Sequence, residues 1–333
     1  MKLIKLLLIY FFIITYSVEI LLFSLSSDEQ KLMVDIKNTR ISLAKKDNKK
    51  YDLRTPEEVF FHFKNNNTNI NPTFYYSSLF SSFKVFKEAK LMNSIIPFRG
   101  PINSQSISCA EDLNYRLIEN DKYGFKNFNS IYKKEINSII LGDSYAEGLC
   151  VNNENDIAGN LNKSKISTIN LGVTGSGPLV SLAVLKEYGN LFKPKNSIYL
   201  YFEGNDLDDL NWEKEDTNLI GYLNDKHKVN YINNYKDIKI FLEKATEESE
   251  NIARARIKIK GYTKTIKKKK LDLFKEHLKD IAELNNLRNI IKFSILKKHN
   301  KKYDLNLFYQ TIEIMNLETK KWKGNYIFVY IPT

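Results

Sequence analysis

Three short turns in the middle of the chain carry the residue types of acyl chemistry. Ser144 closes the triplet Gly142-Asp143-Ser144, a glycine-rich stretch runs from Gly172 to Gly177, and Asn205 sits within Gly204-Asn205-Asp206. A serine at a strand-to-helix turn exposes its hydroxyl and points its own N–H into the same pocket. Glycines in a neighbouring turn let the backbone approach closely and offer a second N–H, and an asparagine side chain adds an amide donor. Donors converging on one point form an oxyanion hole, which stabilises the charge that develops when a serine attacks an ester carbonyl. Each triplet alone is an ordinary turn or helix cap. As a set they carry the argument, because each closes a predicted strand.

The strands that must position them are short apolar runs at 136–141, 166–171 and 197–202, with a fourth at 326–331. A helix is predicted over 179–192, with Pro178 at its first position where a missing N–H costs nothing, and another over 305–317. Strands alternating with helices specify an α/β fold with a parallel sheet covered on both faces. In such sheets functional groups gather at the carboxyl ends of the strands. Two other phosphate or acyl motifs fail. Ala146 stands where GxSxG needs its last glycine, and no GxxxxGK[ST] occurs.

In this order, the turns resemble the blocks of the SGNH (GDSL-type) hydrolase family. Ile139-Ile140-Leu141-Gly142-Asp143-Ser144-Tyr145-Ala146-Glu147-Gly148 is similar to the first block, with Ser144 at the nucleophile. Asn170-Leu171-Gly172-Val173-Thr174-Gly175 is similar to the second, which places the family's oxyanion glycine at Gly175. Glu203-Gly204-Asn205-Asp206 is similar to the third, with the oxyanion asparagine at Asn205. The resemblance covers about a third of the chain, roughly 131–210 and 303–333. It implies a three-layer α/β/α sandwich with a flavodoxin-like parallel sheet, and a serine esterase working through a Ser144 acyl-enzyme without a cofactor. It also makes acetylated cell-surface carbohydrate a plausible ester substrate. Glu147 and Glu203 border the expected site, where they would shape acyl or alcohol specificity. Asp206, Asp208 and Asp209 read as a solvated helix start and not as a metal site.

The family's base and its orienting acid come from a late DxxH motif. The four histidines here are His62, His227, His277 and His299, preceded at three residues by Val59, Asn224, Phe274 and Leu296, so no DxxH occurs. None follows the last predicted strand, and the sequence stops at Thr333. The expectation is a C-terminally truncated member with an incomplete, impaired site, since nucleophile and base act as a unit. The alternative is a non-catalytic, membrane-tethered binding or assembly protein with a degenerate site.

The chain start sets the expected compartment. Residues 6–25 form an apolar stretch of spanning length, preceded by Lys2 and Lys5, with Glu19 as its one charge. It reads as a single-pass anchor, with a cleavable signal sequence as the competitor, and by the positive-inside tendency the rest would lie outside the cytoplasm. The expected organisation is 1–28 as anchor or signal, 29–130 without assignable chemistry, and 131–333 as the hydrolase-like domain with a basic helical insertion at about 212–302. Cys109 and Cys150 are too few for a disulfide framework; one bridge or two thiols are both open. The formal charge of +12 has an address: residues 254–302 hold 17 Lys and Arg against four acids, leaving the remainder near neutral. Anionic lipid head groups or an acidic polymer fit that segment better than nucleic acid, for which no motif exists.

Overall fold

A computed structural model describes residues 6, 10–22, 46, 52, 54–66, 69–77, 95–108, 115–265, 284 and 303–333. Residues 52–257 with 303–333 form one compact unit, and residues 1–51 with 258–302 a second. In chain order the first unit contains helix α1 (Pro56–Asn66), a short antiparallel pair β1 (Phe74–Tyr75) and β2 (Arg99–Gly100), and a hairpin β3 (Ser104–Ser108) and β4 (Arg116–Asn120). The alternating units follow: β5 (Ser138–Gly142), α2 (Ser144–Glu147), α3 (Ile157–Lys163), β6 (Thr168–Asn170), α4 (Pro178–Val184), β7 (Asn196–Phe202), α5 (Asp206–Glu213) and α6 (Thr217–Gly221). Helix α7 (Tyr235–Thr265) begins in this unit, which ends with α8 (Leu305–Lys321) and β8 (Asn325–Ile331).

The four long-range strands pair in parallel in the order β6-β5-β7-β8. From β5 the chain adds β6 on one side, then crosses to add β7 on the other, so the order reverses between β5 and β7. That is the switch point at which open α/β sheets leave a crevice beyond the strand ends. Every residue of β5 is buried, as a strand covered on both faces requires. Ile139 and Leu141 face a large core shared with α4, α8 and the first turns of α7, whereas Ile140 and Leu200 meet Ala146 and Ala158 on the opposite face. The predicted strands and helices of 136–210 and 305–331 therefore form within a few residues of their expected bounds. The helix expected over 179–192 runs from α4 through a π-turn at Leu185–Gly189 to Phe192.

Among the described residues no helix is long and apolar enough to cross a membrane. Of the apolar stretch 6–25, residue 6 and residues 10–22 are described, as helix, so the spanning segment lacks structural support. Within the basic insertion the end of α5, α6 and α7 are helical and 222–234 is turn and coil; Lys267 to Lys270, His277 and His299 lie outside the described residues, as does most of 28–46, whose sequence reads as a polar helix. Cys150 is disulfide-bonded, and the sequence holds one other cysteine, Cys109.

Candidate functional site

Gly142 ends β5 with φ of 135°, and a Cβ there would lie 2.6 Å from the Leu200 carbonyl oxygen. Only glycine lets β5 and β7 run side by side to this point and still turn into α2. Asp143 then caps α2, its Oδ1 accepting the Tyr145 N–H at 2.8 Å in the manner of N-cap aspartates. Its other oxygen, Oδ2, accepts the Ser144 hydroxyl at 3.4 Å. From the end of β7, the Asn205 side chain lies close enough to favour the Asp143 carboxylate charge, while its Nδ2 donates to Asp209 Oδ2 at 2.9 Å. Ser144 and Asn205, 61 positions apart in sequence, therefore both come beside the Asp143 carboxylate at the switch point.

Gly175 reaches the same edge indirectly. Its φ is +69°, and a Cβ there would lie 2.6 Å from Ser77 Oγ, so the turn after β6 is pressed against the segment that follows β1. The preceding residue, Thr174, donates its N–H and hydroxyl to Glu147 Oε2 at 2.9 and 2.7 Å. Glu147 belongs to α2, three residues after Ser144, and this tie holds the Gly175 turn beside α2. Asn170, at the end of β6, donates to the Ala146 and Glu147 carbonyls at 3.0 and 3.1 Å. Lys126 Nζ adds bonds to the Glu147 and Gly148 carbonyls. These satisfy orphan carbonyls at the end of α2 and fix its direction.

Two sequence expectations are corrected here. Glu147 does not border the site toward solvent: it is 1 % exposed and pairs with the buried Arg99 guanidinium at 2.9 Å, with the Tyr75 hydroxyl donating to the same oxygen at 3.3 Å. Its role is to hold Thr174, because a buried charge is retained only when paired and hydrogen-bonded. The acidic start of α5 is not wholly solvated either. Asp206 is fully buried, with Oδ2 accepting from the Tyr199 hydroxyl and the Phe202 N–H and Oδ1 lacking a partner. Burial, followed by the nearby Asp143 charge, pushes the Asp206 carboxyl up to about 8. Glu213, whose carboxylate accepts the Gly177 and Leu179 N–H groups and so caps α4, is pushed by burial to about 8 as well. Glu203 stays at the surface, accepting from Thr333, and the Tyr330 hydroxyl bond holds its carboxyl below the usual range.

The rim of the site is aromatic: Tyr145 is 48 % exposed and its ring packs 4.3 Å from that of Phe202. Tyr75, Ser77 and Arg99, from the region without assignable chemistry, are the functional neighbours the sequence did not reveal. Among the described residues no imidazole bonds Ser144; His62 lies on α1, and His227 packs edge-on against Tyr222 at 4.8 Å. No group of His, Cys, Asp or Glu among them is arranged to hold a metal ion. Two cavities, of about 380 and 270 Å³, open elsewhere, one beside α1 and α7 and one beside Lys126 and α3. No family model, no curated protein and no solved structure matches the chain.

Proposed function

We propose that this protein is a serine esterase of the SGNH type, a three-layer α/β/α domain whose flavodoxin-like sheet presents Ser144 as nucleophile. The Ser144 and Gly175 N–H groups and the Asn205 side-chain amide would receive the oxyanion. The observation that carries this reading is that Ser144 and Asn205 both come beside the Asp143 carboxylate at the strand-order reversal. The substrate class is an acyl ester, with acetylated surface carbohydrate the favoured form. We place the domain outside the cytoplasm on the strength of Lys2, Lys5 and the apolar stretch behind them. The Cys150 disulfide fits an oxidising compartment. The basic segment is assigned to anionic lipid or polymer, and no nucleic-acid role is proposed.

Because no described imidazole bonds Ser144, acylation is slow relative to a complete triad. Incubation with a fluorophosphonate probe followed by intact and peptide mass spectrometry tests the reading. A single adduct on Ser144, absent in Ser144→Ala, together with slow p-nitrophenyl acetate hydrolysis lost in the same variant, is expected. An unmodified Ser144 after prolonged exposure removes the esterase reading. That no described imidazole bonds Ser144 also favours a second reading, a non-catalytic, membrane-tethered binding or assembly protein built on this fold. That reading gains if the unlabelled protein retains acetylated polysaccharide and Ser144→Ala binds it equally well.

A further inference from the structure

We infer that the cavity of about 380 Å³ beside α1 and α7 binds an amphipathic monocarboxylate, a fatty-acid-like anion whose carboxylate rests on Arg256 and whose chain lies among Phe60, Ile107 and Ile252. The inference stands apart from the esterase reading, because none of the residues that position Ser144 lines this cavity. Pockets that bury small molecules run from roughly 300 to 1,000 Å³. This one lies near the lower end, which suits a chain of medium length better than a whole lipid.

Its walls follow from the way two helices are pinned. The Thr55 hydroxyl accepts the Glu58 N–H at 3.3 Å while the Glu58 carboxylate accepts the Thr55 N–H at 2.7 Å, a capping box that fixes the start of α1. Glu57 then reaches α7, where Arg256 Nη1 donates to its Oε1 at 3.2 Å. At the other end of α1, Lys64 pairs with Glu250, six positions before Arg256. Two pairs in that order hold α1 antiparallel to α7. Phe60 lines the cavity from α1, Ile252 and Ala253 from α7, and Ile107 from β3, so apolar carbon meets a ligand from three elements.

The charged groups select the head of that ligand. Among the described residues that line the cavity Arg256 is the one cation, and its Nε and Nη2 donate to no described residue. That edge of a guanidinium holds a carboxylate through two parallel hydrogen bonds. Arg254 is committed elsewhere, its guanidinium 4.5 Å from the centre of the Phe61 ring. The Arg256 side chain is 69 % exposed, which puts it at the mouth, where a carboxylate keeps its outer lone pairs in water while the chain turns inward. Glu57 beside it limits the ligand to one negative charge, since a second would meet that carboxylate at close range. The cavity beside Lys126 offers no such edge: Lys126 Nζ is spent on Asp156 and on the Glu147 and Gly148 carbonyls.

Decanoate carrying a diazirine on its terminal carbon tests this on the full chain. Photolysis expels nitrogen and leaves a carbene that inserts into a neighbouring bond, and peptide mass spectrometry reads where. Adducts are expected on the peptides that carry Phe60, Ile107 and Ile252, suppressed by excess decanoate. Arg256→Gln should lower this capture about tenfold, as should the methyl ester of the probe on the unsubstituted protein, which is the scale of a charge-assisted hydrogen bond at a hydrated rim. Glu57→Gln should raise it by removing the like charge. Ile252→Trp fills the cavity and should abolish capture with circular dichroism unchanged, whereas Ser144→Ala should capture as the unsubstituted protein does. Equal capture of acid and ester, or capture undiminished in Arg256→Gln, overturns the carboxylate assignment. Adducts on other peptides alone, or loss of capture in Ser144→Ala, overturn the site and leave the esterase reading where it stood.

Discussion

Asp206 is a carboxylic acid placed where water cannot reach it, beside other acids, and its worth to the fold depends on keeping its proton. Its folded pKa of about 8 lies above the ordinary aspartate value near 4. Between those limits the folded state binds more protons than the unfolded state, so stability falls as pH rises from about 4 to about 8. Each unit of that gap corresponds to about 1.4 kcal/mol. Asp206→Asn keeps an oxygen for the Tyr199 hydroxyl and the Phe202 N–H and cannot ionise. In urea titrations from pH 4 to pH 9 the variant should lose stability less steeply than the unsubstituted protein, and the two should diverge most above pH 7. Glu213, also near 8, leaves a residual slope in the variant. Parallel curves across the range would mean that Asp206 is ionised at neutrality. The sequence could not disclose this, since a run of Asp206, Asp208 and Asp209 looks alike at all three positions until the start of α5 turns the first of them inward.

At the level of elements, the sheet and its covering helices were legible because their signals are local. Ser-Ile-Ile-Leu-Gly over 138–142 is an apolar run of strand length, and Pro178 marks the first turn of α4. The brace behind the site has no local signal. Tyr75, Arg99 and Glu147 come from β1, β2 and α2, and the contacts to Glu147 span 72 and 48 positions. No spacing rule connects them, and only the fold brings them together. The same brace yields a prediction about linkage between elements. Arg99→Met removes the cation and strands the buried Glu147 charge, for which about 3–5 kcal/mol is the usual loss. Because Glu147 also holds Thr174, the turn carrying Gly175 should loosen with it. Chemical denaturation of Arg99→Met alone and of Arg99→Met with Glu147→Gln separates the two effects: neutralising Glu147 should recover part of the lost stability, and a double variant no better than the single one would deny the pairing its role.

The whole molecule divides by charge as well as by contacts. Seventeen of its 51 Lys and Arg fall within 254–302, a segment that mostly belongs to the smaller of the two compact units, while the unit bearing Ser144 holds its buried charges in pairs such as Arg99–Glu147 and Lys126–Asp156. A block of cations gains most from a polyanionic surface, at about 1 kcal/mol for each Lys or Arg near anionic lipid. Screening limits that gain to roughly a Debye length, near 10 Å at 0.1 M salt. Reversing Lys267, Lys268, Lys269 and Lys270 to glutamate in a protein lacking residues 1–28 should therefore weaken sedimentation with phosphatidylserine vesicles at low salt by at least 100-fold, and leave Ser144 labelling as it was. The unsubstituted protein should lose the same binding on raising salt. Binding that survives both the reversal and high salt would place the lipid contact on apolar surface and take the basic block out of the account.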